Sequence, residues 1–81
     1  MVIRVVRDVG FGEWVAVPEG YEFVATVDDV RRYNDFEGTV GPALWVATEA
    51  ATVWALLAGD FEVVSYACEA EVAAIATVIE G

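Results

Sequence analysis

Apolar and polar positions change rhythm several times along the chain, and the rhythm predicts the elements. Val2–Val9 (VIRVVRDV) is rich in Val and Ile and reads as a strand. Gly10–Gly12 (GFG) is a turn signal, and Glu13–Val17 (EWVAV) reads as a second strand, so the two predict a hairpin. Pro18–Gly20 (PEG) is another turn, with Pro presetting φ and Gly free to take positive φ. Tyr21–Val27 alternates, with Tyr21, Phe23, Ala25 and Val27 on one face, which predicts a half-buried third strand.

The rhythm then lengthens. Asp28–Phe36 (DDVRRYNDF) reads as a short helix with Asp28 as its N-cap and Asp28 paired to Arg31 and Arg32 along the axis. Glu37–Pro42 (EGTVGP) is a loop. Ala43–Ala47 (ALWVA) is apolar at every position, as expected of a strand covered on both faces. Thr48 and Glu49 resemble a helix start, Ala50, Val53, Trp54 and Leu57 fall at helical spacing, and Gly59 is a C-cap. Phe61–Ala67 reads as a strand. Cys68–Glu80 reads as a helix with Val72, Ile75, Ala76 and Ile79 on one stripe; a hairpin is the alternative, and the run of Ala favours helix. Ala47-Thr48-Glu49-Ala50 is echoed twenty residues later by Ala67-Cys68-Glu69-Ala70, which suggests two successive strand–helix units. Two copies are too few for a repeat array.

These elements predict one domain over residues 1–81 with an α/β (α+β) fold. The expected architecture is an N-terminal antiparallel β-meander, a short helix, then two strand–helix units. The strands would form one mixed sheet with helices on one face. Val40–Gly59 is long enough to span a bilayer, but it holds Gly41, Pro42 and a central Glu49. A central acid costs about 2.5–3.5 kcal/mol on insertion scales, so the soluble reading is preferred.

Composition adds a tension to this picture. Fifty-eight per cent of the residues are hydrophobic and mean hydropathy is +0.54. A chain of 8.7 kDa cannot hide that much apolar surface, so part of it is expected in contact with another chain or a membrane. Small Ala and Val side chains make up part of the excess. The net charge is −10, from 14 acids against four arginines, Arg4, Arg7, Arg31 and Arg32. No positive charge follows Arg32. Direct nucleic-acid binding is excluded on this balance, because phosphate affinity comes from Lys and Arg. A partner with a basic surface fits better. Solubility and the compositional bias of the source would each account for the same acidity.

Candidate chemistry is sparse. There is no His, and Cys68 is the lone cysteine, so neither a disulfide within the chain nor a zinc site is expected. Cys68 stands at a strand–helix junction, yet Glu69 and Glu71 beside it oppose a thiolate, and it reads as a buried small hydrophobe. The carboxylate pairs Asp28/Asp29, Asp60/Glu62 and Glu69/Glu71 lack the cleft that a glycosidase needs. Gly10–Trp14 joins two strands, so it is a hairpin turn and not a phosphate loop. Trp14, Trp45 and Trp54 read as core residues, with at least one aromatic expected at the surface as an interface anchor. No catalytic residue, cofactor or metal is assigned.

The expected function is therefore protein binding without enzymatic activity, in the cytoplasm and away from membranes. The partner-binding candidates are Asp60, Glu62, Glu69, Glu71 and Trp14. One concrete form is a phage- or mobile-element-type inhibitor, of the anti-CRISPR or DNA-mimic class, that occupies a nucleic-acid-binding surface of its target. The alternative is a structural homo-oligomer, a homodimer in its smallest form, that buries the apolar excess between copies.

Overall fold

The computed structural model describes residues 1–34, 38, 40–48 and 53–80. Among these residues the chain is mostly strand, with β1 at Val2–Val5, β2 at Val9–Phe11, β3 at Trp14–Val17 and β4 at Glu22–Val24. Then follow β5 at Val30–Asn34, β6 at Val40–Ala47, β7 at Val53–Leu56, β8 at Phe61–Ser65 and one helix, α1, at Glu69–Glu80. The strands make three sheets, ordered β4-β1-β8, β2-β3 and β5-β6-β7. Every pairing is antiparallel. This overturns the expected α/β fold of two strand–helix units on one mixed sheet. No two of the described strands pair in parallel, so no crossover helix is needed to join them.

The predicted first strand breaks at its polar end. Val2–Val5 pairs with β4 and β8, while Val6, Arg7 and Asp8 leave the ladder and are exposed. Val9 restarts a strand that folds back on β3. The hairpin is therefore where the Gly10–Gly12 signal put it, but it stands as a separate two-stranded sheet, so the expected meander does not form. Gly12 takes φ 62, which suits the first residue of a two-residue hairpin turn. Gly10 sits at a register shift, and a Cβ there would come within 2.0 Å of the Trp14 carbonyl oxygen. Only glycine allows β2 and β3 to approach so closely. Further on, the Gly20 N–H donates to the Val5 carbonyl at 2.7 Å and starts β4 back along β1.

The predicted helix at Asp28–Phe36 is a second correction. A single 3₁₀ turn covers Val27–Asp29, with Thr26 as its N-cap in place of Asp28. The Asp29 carboxylate accepts from the Thr26 N–H at 2.8 Å. The chain then extends as β5, whose five residues all pair with β6. Val30, Arg31, Arg32 and Tyr33 carry no apolar helical stripe, whereas a ladder satisfies their backbone directly. The remainder of that predicted helix, Asp35 and Phe36, lies outside the described residues.

Strand β6 contains the predicted Ala43–Ala47 and begins earlier, passing through Pro42. β7 pairs only with Leu44–Ala47, so Pro42 lies where β6 has one neighbour and a residue without an N–H is tolerated. The predicted helix after Thr48 is a third correction. Val53–Leu56 is a strand. Glu49, the expected first-turn acid after the Thr48 cap, and residues 50–52 lie outside the described residues. Gly59, expected to cap that helix, turns β7 into β8 at φ 91. Asp60 fixes this turn: its carboxylate accepts from the Leu57 N–H at 2.9 Å, and its own N–H donates to the Leu57 carbonyl.

Strand β8 and helix α1 lie where the periodicity predicts them, with α1 starting one residue later than Cys68. Its buried residues are Glu71, Ile75 and Val78, a stripe rotated from the expected one, which leaves Val72 and Ile79 exposed. Ile75 joins Ile3, Val5, Val17, Leu44 and Leu56 as the largest fully buried side chains. This one core joins inward residues of all three sheets to the helix. No described helix is long and apolar enough to cross a membrane.

Candidate interaction surface

The carboxylates singled out in the sequence go to different tasks. In the β4-β1-β8 sheet, Ile3 and Val5 point inward and Arg4 points out, between Glu22 of β4 and Glu62 of β8 in register. The Arg4 Nη1 donates to Glu62 at 2.9 Å, and its Nε lies 3.6 Å from Glu22. Asp60 is buried, and its second oxygen is 3.3 Å from the Arg7 Nε. Glu71 is also buried and closes the N-terminus of α1. One of its oxygens accepts from the Ala67 N–H at 2.8 Å, the other from the Met1 ammonium at 3.0 Å. The Ala67 hydrogen bond, then the bond to the ammonium, hold the Glu71 carboxyl below its ordinary pKa of 4.5, against a smaller opposing effect of burial. Glu69 is exposed on the first turn of α1. Of the four acids, Glu62 and Glu69 are thus exposed, Glu62 with Arg4 as its partner, while Asp60 and Glu71 are buried against partners within the chain.

Trp14 has a different setting. It opens β3 directly opposite Phe11, with the two-residue turn between them. Phe11 is 74% exposed and Trp14 53%. Across the molecule the Trp14 ring meets Trp54 of β7 edge-to-face, with ring centroids 5.5 Å apart. Trp54 packs half-buried against the core and supports Trp14 from behind. The pair holds a large apolar side chain at the surface in a defined orientation, which a freely rotating Trp would not have.

The opposite face of the β5-β6-β7 sheet carries a second aromatic group, which sequence reasoning missed. Tyr33 stands across from Gly41, and Trp45 follows two residues after Ala43 on the same face. The two rings lean together, 6.0 Å between centroids, over the fully buried Ala43. Small residues at 41 and 43 make room for them. Beside them is an open pocket of about 220 Å³, lined by Tyr33, Trp45, Val53, Trp54 and Ala55. The Trp45 indole N–H is buried and meets no acceptor among the described residues. The signal for this site was present in the alternation of Gly41, Ala43 and Trp45, but it is legible only once β5 is known to be a strand.

Cys68 is exposed, not buried as its surroundings in sequence suggest. Among the described residues, no group of three His, Cys, Asp or Glu side chains is placed to hold a metal ion. No family model, curated protein or solved structure matches the chain.

Proposed function

We propose that this chain is a protein-binding module that docks a partner with a basic surface, using Trp14 and Phe11 as apolar anchors. The observation that carries this reading is the Phe11–Trp14 pair, exposed at the hairpin turn and backed by Trp54, on a chain of net charge −10. Exposed aromatic side chains held rigid are the commonest energetic centres of protein interfaces. The surrounding negative field draws a basic partner to them and repels nucleic acid. No chemistry of its own is part of this proposal. Action in a reducing cytoplasm is part of it, supported by a lone exposed thiol.

The narrower form, an inhibitor seated on a nucleic-acid-binding surface, draws on the same charge. Its exposed carboxylates would be Glu62 and Glu69. The test compares wild type with Trp14→Ala as bait in host extract, with salt and nucleic acid as competitors. A partner held by wild type, lost by Trp14→Ala and released by salt supports the proposal. Identical capture by both baits overturns it. Displacement of the partner by nucleic acid marks the inhibitor form.

A further inference from the structure

The two three-stranded sheets have four edge strands, and three of them carry charge: Glu22 on β4, Glu62 on β8, and Arg31 and Arg32 on β5. Charged side chains on an edge are how sheets avoid joining other sheets. The fourth edge, β7, reads Val53-Trp54-Ala55-Leu56 and has none. It also lacks a proline, and its pairing with β6 runs without a register shift. The separate β2-β3 hairpin is uncharged as well, but it carries the shift at Val9/Gly10, a second device against pairing. Among the described residues no strand pairs with the outer side of β7. Val53 on that edge is 61% exposed.

We infer that β7 pairs antiparallel with β7 of a second copy of this chain, joining two β5-β6-β7 sheets into one six-stranded sheet. Charge selects this occupant. A basic segment finds no carboxylate on β7, whereas an uncharged apolar strand is matched by another of the same kind, and the chain itself supplies one. Two copies that each bear −10 repel one another, and local repulsion is least along a charge-free edge. A two-fold axis perpendicular to the sheet is the symmetry that pairs a strand with itself. That axis keeps like faces together, so Val53 of the second copy comes beside the open pocket at Tyr33 and Trp45 and narrows it. Trp54 lies on the other face, where the two copies' indoles become neighbours.

Sedimentation equilibrium over micromolar to submillimolar concentration tests this, in low and in high salt. The expected result is a species of twice the chain mass whose dissociation constant falls as salt screens the like charges. Binding of a basic partner has the opposite salt dependence, so the two contacts are told apart. Val53→Glu sets like charges across the two-fold and is expected to weaken the dimer by about tenfold or more. Its circular dichroism should remain that of wild type. Hydrogen exchange on the unmodified chain gives a second reading: slowing with concentration confined to Val53–Leu56 supports the pairing even if the variant does not fold. A monomer under all conditions overturns the inference, as does a dimer indifferent to Val53→Glu or one protecting other strands.

Discussion

Glu71, expected among the partner-binding acids, shows how the charge of a residue can be visible in the sequence while its role within the fold is missed. Sequence spacing places it in the first turn of α1, where a carboxylate is favourable. It cannot show that the other oxygen reaches the Met1 ammonium, seventy residues away. A carboxyl whose folded pKa is depressed gives stability that is fully present above the unfolded value of 4.5. That stability is lost as pH falls through the folded value. Glu71→Gln should therefore lower the melting temperature at neutral pH and flatten its decline on acidification, as thermal melts between pH 7 and pH 3 will show. An unchanged acid limb would mean that other carboxylates govern it. Arg4 and Asp60 are similar cases. Their charges are visible in the sequence, but their partners, Glu62 and Arg7, become neighbours only through the β1–β8 ladder.

At the scale of elements, the legible parts are those whose signal is local. The hairpin turn, the apolar run Ala43–Ala47, β8 and α1 are all set by residues within a few positions of one another. The segments that read as helix and are strand, Val30–Asn34 and Val53–Leu56, are short and carry Val, Trp or Tyr among helix-compatible neighbours. A period of 3.6 cannot be told from a period of 2 over so few residues, and what decides is the partner strand. Both pair with β6, which is apolar throughout and central in its sheet. The face of α1 is a finer case of the same kind. Several apolar stripes fit its sequence, and the core selects the one through Ile75 and Val78. Ile75→Ala should cost about 2–5 kcal/mol in urea unfolding, as for other fully buried aliphatic side chains. Val72→Ala, on the exposed side, should change stability by less than about 0.5 kcal/mol. A loss at Val72 well above that would restore the stripe expected from sequence, which holds both residues.

For the whole molecule, apolar surface and negative charge are set against each other. Phe11, Trp14, Val24 and Val53 remain exposed on a chain of 81 residues, as the surface-to-volume argument requires. The charge keeps such a molecule dispersed, and it also strains the folded state by self-repulsion. Adding salt should raise the melting temperature by several degrees, since about 1 kcal/mol shifts a domain of this size by about 4–8 °C. The measurement belongs at low protein concentration, where self-association contributes little. The ladder of the β4-β1-β8 sheet has a further consequence, in time. Its central strand precedes both of its neighbours in sequence, and Arg4 meets Glu62 across 58 residues of sequence. On the ribosome, β1 can take up β4 early, but one whole side of it stays open until Phe61–Ser65 leaves the exit tunnel. Completion of this sheet then lags well behind its start and is slow, because its closing contact spans 58 residues of sequence.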